Sequence, residues 1–364
     1  MEYAARKRKD ACDNFQEGDG AEWRPLPDRP EWRPLAEDWR ALEEIAGERS
    51  KSPVKVLSEA CRRRLQALWL PQESRLHRSG QDARGAKHCD AGHFHCYPIA
   101  NANKNPAFAC WRQNADCHDH VIWWCASLKH AAEHYSWTSS KEGRFEFLAA
   151  ALQSAMRRQD EDLTALCCSK ILAWGGLNGP RKNEKDSAWL TRSVGQKSLI
   201  AQIRDAAARL CPQSTRALDC FGNQDGQYPM TSGTTKIYAA AALDLSAGVN
   251  SARQDVLILD GRVGAALGYL AAMLSAPNDV PDEFRFPWGY GTSKSPRNPS
   301  TPHSRFPPMS SLSGERRAKF TRLGAQCIQD FFGIYQPSEE FVIAEKALFM
   351  IGYDVRNSCG TSGA

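Results

Sequence analysis

The chain has 364 residues, more than one average domain, so we expect one large domain or two smaller ones. Hydrophobic residues make up 42% of it and charged residues 24%, a balance that indicates a soluble globular protein with a real core. No apolar run approaches the length needed to cross a bilayer, which excludes a helical membrane protein and makes a membrane an unexpected partner.

The net charge of +5 is too small to establish an anionic partner, but the charge is unevenly distributed. Residues 51–87 contain nine Lys and Arg against three acidic residues, and residues 285–324 contain eight against one. Two basic segments in a nearly balanced chain are typical of faces that meet phosphates. Basic solvated loops are the alternative interpretation.

The amino terminus, MEYAARKRKDACDN, lacks the apolar segment of a secretory signal. The 13 cysteines are therefore expected to be reduced thiols. We expect a cytoplasmic protein of a bacterial cell, acting as a monomer.

Residues 1–142 show less regular periodicity than the rest of the chain. Residues 1–21 are charged and contain Gly and Asp, so we expect a disordered tail. Residues 22–142 are expected to form an irregular N-terminal extension rich in Trp and Cys, opening with two Glu-Trp-Arg-Pro-Leu repeats nine residues apart. The repeats indicate extended arms whose indoles pack on the protein itself, with a partner as the alternative. Helical spacing follows at residues 35–46, 55–70 and 121–134.

Histidines and cysteines crowd into residues 88–125. These residue types suit zinc, but no CxxC pair occurs, and Cys89/Cys96 and Cys110/Cys117 are each seven residues apart. Buried free cysteines and histidines flanked by aromatic residues explain the same pattern, so we assign no metal ligand. The set comprises His88, Cys89, His93, His95, Cys96, Cys110, Cys117, His118, His120 and Cys125.

From residue 143 the sequence becomes α-helical, and we assign residues 143–364 to one helical domain. Apolar spacing predicts helices at residues 145–157, 162–174, 198–210, 313–334 and 337–353. Residues 181–187 are charged and are predicted to be exposed. Residues 277–308 form a long segment rich in Pro, Gly and Ser, which indicates a functional loop rather than a linker. The predicted fold class is mainly all-α.

The functional interpretation depends on residues 230–268. A small-residue turn, MTSGTT, leads into an Ala-rich helix that begins near Lys236. An apolar run at residues 256–259 then precedes Asp260, which is placed to cap a helix at residues 261–273. Lys236 and Asp260 are far enough apart in the chain for a complete helix and a return segment to lie between them. The N-termini of two consecutive helices can therefore face one cleft.

This arrangement resembles the helix-hairpin-helix DNA glycosylases, and within them the 8-oxoguanine-glycosylase-like branch. In that family a glycine hairpin ends in a Lys that opens a helix, and an Asp follows an apolar stretch and precedes an Arg/His–Val helix. TSGTTK and LILDGRV occupy those places here. The hairpin departs from the family, because Met-Thr-Ser-Gly-Thr-Thr replaces the usual Leu-Pro-Gly-Val-Gly pattern. The resemblance implies a glycosylase-like helical array with its hairpin at residues 230–236.

The resemblance further implies that Lys236 and Asp260 are catalytic, that no cofactor is needed, and that the partner is double-stranded DNA. Cleaving a base from its sugar passes through a cationic transition state, which a carboxylate such as Asp260 stabilises. A neutral Lys236 amine can attack the same sugar carbon and form a Schiff base, which opens a route to strand scission. Burial and a helix N-terminus both lower a lysine pKa and so favour the neutral amine.

Further residues are expected to contact DNA. Amides and hydroxyls at the hairpin can hold a phosphate, and an Asn in the turn at residues 175–179 is a candidate for filling the space left by an extruded nucleotide. An ordinary helix-end Asn is the alternative there. The base pocket is expected to draw on the late helices and residues 297–300, while Trp288 and Phe286 either stack on a base or belong to the core. The predicted DNA-binding residues are Ser232, Gly233, Thr234, Thr235, Asn178, Arg262 and Arg297.

The sequence leaves three functions open. The first is a DNA N-glycosylase, with or without lyase activity, that removes a modified or damaged base in repair or in defence against phage DNA with modified bases. The second is a helix-hairpin-helix DNA-binding protein that has lost the chemistry. The third is a zinc-dependent interaction module built on residues 88–125.

Overall fold

The computed structural model of the protein describes residues 54–70, 94–99, 121–135, 137, 144–177, 184–222, 227–276, 278–291 and 297–356. Within these ranges the chain is mainly helical, as predicted, with one two-stranded sheet. No helix in them has the length and apolarity that a membrane span requires. The predicted tail, the Trp-Arg-Pro repeats and the predicted helix at residues 35–46 lie outside the described residues.

The described elements follow one another in a simple order, with most helices late in the chain. They are α1 (Glu59–Trp69), β1 (His95–Ile99), β2 (Val121–Cys125), α2 (Leu128–Glu133), α3 (Phe145–Arg157), α4 (Glu161–Trp174), α5 (Glu184–Gly195), α6 (Leu199–Leu210), α7 (Thr234–Ala242), α8 (Gly261–Ser275), α9 (Gly314–Phe332) and α10 (Glu339–Ile351).

The two strands pair antiparallel, with His95 opposite Cys125. The prediction of helical spacing over residues 121–134 is therefore wrong for its first five positions. Val-Ile-Trp-Trp-Cys is a run of β-branched and aromatic residues, which suits a pleated strand better than a helix. The helix α2 starts only after Ser127, whose hydroxyl accepts a hydrogen bond from the His130 amide.

The helices predicted in the second half of the chain are confirmed. α3 has the predicted bounds, and side chains placed before three later helices cap them as the sequence indicates. Asp160 accepts from the Leu163 amide at 2.9 Å, and Ser313 and Ser338 do the same for α9 and α10. Of residues 181–187, which were predicted to be exposed, residues 184–187 are described, and they begin the helix α5, which the sequence analysis missed. Glu184 and Lys185 are exposed as predicted, but the prediction is wrong for Asp186, which is buried.

Two hydrophobic clusters hold these helices together. One is formed by α3 to α7, with Leu152, Ile171 and Ile203 fully buried. The other combines α8, α9 and α10 with the sheet and α2, so that Trp123 from β2 packs with late helices. Residues from the predicted N-terminal extension thus share a core with the predicted helical domain.

The expectation of reduced thiols throughout is wrong at Cys96, which is disulfide-bonded. The other cysteines in the described ranges, Cys125 among them, form no disulfide. Groups of three or more His, Cys, Asp or Glu side chains able to hold a metal ion do not occur in the described part of the chain. Most of the His/Cys-rich segment at residues 88–125 lies outside it, so a zinc module there stays a prediction.

Candidate active site

A cavity of about 360 Å³ lies where the two hydrophobic clusters meet. Lys236 reaches it from the first turn of α7, and Asp260 and Arg262 reach it from the start of α8. Arg297 enters from the long loop before α9, and Glu345 from α10. The structure therefore brings both predicted catalytic residues and two of the predicted DNA-binding residues to one cavity.

Aromatic rings form much of the cavity wall. The rings of Phe145 and Trp174 lie 4.8 Å apart, and those of Trp137 and Phe349 meet edge to face at 5.4 Å. The Trp137 indole N–H donates to the Trp174 carbonyl at 3.0 Å, which ties the segment after α2 to the end of α4. The site is apolar at its sides and charged where the helix starts converge.

The Lys236 side chain is only 6% exposed. Its Nζ donates a hydrogen bond to the Ser232 carbonyl at 2.6 Å, which holds the amine beneath the hairpin. Burial lowers the pKa of Lys236, although the nearby carboxylates of Asp260 and Glu345 act in the opposite direction. The surroundings thus favour release of the proton that keeps a lysine amine unreactive.

Asp260 is the N-cap of α8, as predicted. Its Oδ1 accepts hydrogen bonds from the Arg262 amide at 2.8 Å and the Val263 amide at 3.0 Å. Capping fixes the carboxylate against the helix start and satisfies two amides that have no partner inside the helix. The carboxylate therefore has one defined position at the cavity wall.

Glu345 is a partly buried acid that the sequence analysis did not identify. Its Oε2 accepts from the Ile258 amide at 2.8 Å and from the Gln254 side chain at 2.7 Å. Burial raises the pKa of Glu345 to about 7, and the neighbouring Asp260 carboxylate adds to the shift. Near neutral pH this group can therefore exchange a proton with its surroundings.

The hairpin folds onto the protein itself. Thr231 Oγ1 donates to Asp186 and accepts from the amides of Gly233 and Thr234, at 3.1 and 3.0 Å. A Cβ atom on Gly233 would lie 2.7 Å from Asp186 and 2.6 Å from Leu172, so only glycine lets the turn approach α4 and α5 this closely.

The polar groups of the hairpin that were predicted to hold a phosphate make hydrogen bonds within the protein, and phosphate binding there stays a prediction. The hydroxyl of Thr234 donates to the Pro229 carbonyl and that of Thr235 to the Ser232 carbonyl, and both side chains are buried. The Gly233 and Thr234 amides are engaged as described above, and the Ser232 hydroxyl faces Met309 Sδ at 3.3 Å. A Thr-rich turn satisfies its own donors, which a turn of Gly and Val cannot do.

The basic segment at residues 285–324 is also occupied internally to a large extent. Arg317 donates to the Met230 carbonyl at 2.9 Å, and Arg322 donates to the Arg209 carbonyl at 3.0 Å. Arg285 and Lys319 pair with acidic neighbours on the surface. Several of these cations therefore hold loops in place, and the sequence pattern overstated their availability to phosphates.

Three other contributors were predicted, namely Asn178, Trp288 and Phe286. Asn178 is outside the described residues. Trp288 and Phe286 are core residues, because Trp288 donates its indole N–H to the Phe306 carbonyl at 3.1 Å and Phe286 packs against Phe320. Both are at most 5% exposed.

Sequence reasoning missed Glu345 and Asp186. A signal for Glu345 was present, because it occurs at helical spacing from Phe341, Leu348 and Phe349 and so lies on the apolar face of α10. No comparable signal marked Asp186, which is one charge among several in Glu-Lys-Asp and became distinctive only when the hairpin packed on it.

Comparison with protein-family models, curated proteins and solved structures gives no match for this chain.

Proposed function

We propose that the protein is a DNA N-glycosylase that removes a modified or damaged base from an extruded nucleotide, with Lys236 as nucleophile and Asp260 as the acid that stabilises the transition state. The observation that carries the proposal is the convergence of these two side chains on one cavity. The cavity volume lies in the range of small-molecule sites and suits a single nucleoside.

In this mechanism the bond between C1′ and the base nitrogen breaks, and its electron pair leaves with the base. Positive charge develops on the sugar, and the Asp260 carboxylate, fixed by two backbone amides, stabilises it. The neutral Lys236 amine then donates its lone pair to C1′, which joins protein and sugar through a C–N bond. The bound nitrogen then loses one proton and the C1′–O4′ bond breaks, so that O4′ takes its electron pair and a proton while the nitrogen lone pair forms the C=N bond. The product is a ring-opened, protonated Schiff base from which strand scission can proceed.

The lowered pKa of Lys236 supports the nucleophilic role, and the hydrogen bond to the Ser232 carbonyl supports a fixed approach of the amine. Glu345 offers an acceptor for the proton that the amine must lose. Repair and defence against phage DNA use the same chemistry, so both settings agree with this site.

The experiment that tests the proposal compares Asp260→Asn with the unchanged protein on genomic DNAs that carry different base modifications. Asparagine caps a helix as well as aspartate does, so the fold and DNA binding should survive. Released bases and abasic sites should fall by at least about 100-fold, because the transition-state charge loses its stabilising anion.

Asp282→Asn removes an acid of similar size from a surface position and serves as the matched control. Base release by Asp260→Asn at the unchanged rate would refute the assigned role. DNA binding without any base release from the unchanged protein would instead favour the non-catalytic helix-hairpin-helix protein.

A further inference from the structure

Two arginines in the cavity, Arg262 and Arg297, form no ion pair with a carboxylate of the described residues. The Arg262 guanidinium lies over the ring of Phe349 at 4.4 Å, and it also faces Tyr353 and Trp137 at 5.1 and 5.4 Å. Its Nη1 atom is buried and donates no hydrogen bond to any described residue. The guanidinium thus packs against the faces of three aromatic rings.

Arg297 approaches the same place from the long loop. Its guanidinium carbon lies 6.0 Å from the Tyr353 ring that Arg262 also covers, and its Nε is buried without a hydrogen-bond partner in the described chain. Its hydrogen bond to the Tyr290 carbonyl is long, at 3.5 Å. Burial, together with repulsion from Arg262, lowers the pKa of Arg297 to about 10.

Other partly buried arginines of the protein also have a buried Nε without a hydrogen-bond partner among the described residues, but each of them makes a shorter polar contact through another guanidinium nitrogen. Arg62 pairs with the Asp330 carboxylate at 2.8 Å, and Arg204 and Arg317 donate to main-chain carbonyls. For Arg262 and Arg297, the part of the chain that the structure describes places no carboxylate oxygen within 4.0 Å. The Asp260 carboxylate is near, but its Oδ1 is already engaged by two backbone amides.

Two cations crowded together away from water are costly unless an anion joins them. A carboxylate or similar oxyanion fits a guanidinium because its two oxygens match the N–H fork. The neighbouring walls are aromatic rings from Trp137, Phe145 and Trp174, which suit a flat heterocycle. A group that fits both the two guanidiniums and the aromatic walls is an acid attached to a ring.

We propose that Arg262 and Arg297 together bind the acidic substituent of a modified base, so that the cavity selects bases carrying a ring-borne carboxylate over neutral ones. This inference rests on the proposed function, since it names the class of base that the glycosylase removes. Three aromatic rings enclose Arg262. This enclosure favours binding of an acidic group carried on the extruded base over binding of a phosphate, which remains part of the DNA backbone.

The test uses free bases and the full chain, without DNA and without turnover. Isothermal titration calorimetry compares 5-carboxyuracil with thymine, which has a similar shape and no charge, and with inorganic phosphate. We expect 5-carboxyuracil to bind at least about tenfold more tightly than thymine or phosphate.

Arg297→Gln should remove that preference, whereas Arg305→Gln, which changes an exposed arginine of the same loop, should keep it. Arg262→Gln should act like Arg297→Gln. If Arg262→Gln fails to fold, the result with Arg297→Gln alone decides whether the proposal holds.

Equal binding of 5-carboxyuracil and thymine, no binding of 5-carboxyuracil, tighter binding of phosphate, or an unchanged preference in Arg297→Gln would each overturn the proposal. Failure of the proposed function shows itself separately. It would leave this preference intact while no DNA substrate loses a base.

Discussion

Replacing Glu345 with Gln tests the electrostatics of the site without reference to any substrate. The pKa of Glu345 rises from its usual 4.5 to about 7 on folding, mainly because the carboxyl group is buried. Each pKa unit corresponds to about 1.4 kcal/mol, so the ionised group costs the folded state up to about 3 kcal/mol. Solvent that reaches the partly buried side chain screens some of this cost, and we expect about 1–3 kcal/mol.

The sign follows from proton binding. Between pH 4.5 and about 7 the folded protein holds a proton on Glu345 that the unfolded chain has lost, so stability falls as the pH rises through this window. Glutamine stays neutral throughout and its oxygen can still accept from Ile258. Glu345→Gln should therefore unfold at a higher urea concentration than the unchanged protein at about pH 8, with little difference at about pH 4.5.

Urea unfolding followed by tryptophan fluorescence at both pH values measures the effect. Glu340→Gln removes the same charge from an exposed position on α10 and should change the unfolding free energy by less than about 1 kcal/mol at either pH. A Glu345→Gln variant that is less stable at about pH 8, or that shows the same difference at both pH values, would refute the reasoning.

Two further substitutions test how the amine is positioned. A Cβ atom at position 175 would lie 2.8 Å from Lys236 Cδ, so Gly175→Ala should displace the amine and reduce Schiff-base formation by at least about tenfold. Gly195→Ala is the control, because a Cβ atom there meets nothing within 4 Å, and it should leave Schiff-base formation unchanged. Equal borohydride trapping of both variants would contradict this. Asp186→Ala leaves the Thr231 hydroxyl without its acceptor and should cost about 1–3 kcal/mol in thermal unfolding, and an unchanged melting temperature would show that the hairpin does not depend on it.

Much of the helical architecture could be predicted because its signals lie within single elements. The apolar spacing of α3 and the Asp260 cap of α8 are local properties of the chain, and the structure reproduces both. The strand β2 was missed because its four aromatic and β-branched residues, followed by Cys125, were read together with the true helix α2 that comes next in the chain. Element type in such short apolar runs depends on what the chain pairs with.

The candidate site was predictable in its central pair and not in its surroundings. The sequence order of a glycine turn, Lys236 and the capping Asp260 predicted that two helix N-termini lie close together. Lys236 and Asp260 both line the cavity. Glu345 and the aromatic wall come from segments about a hundred residues away in either direction, which only tertiary packing brings near. The internal partners of the hairpin donors could not be predicted because they include Asp186, which belongs to a helix that the sequence analysis did not find.

The central claim is that the Lys236 amine attacks a sugar carbon from which a base has been removed. Borohydride reduction of the protein with DNA containing abasic or modified sites, followed by peptide mapping, tests this directly. The account predicts a covalent protein–DNA adduct on Lys236 that is lost in Lys236→Gln and kept in Lys319→Gln, which changes an exposed lysine on α9. Absence of any adduct, or an adduct mapped to another lysine, would contradict it.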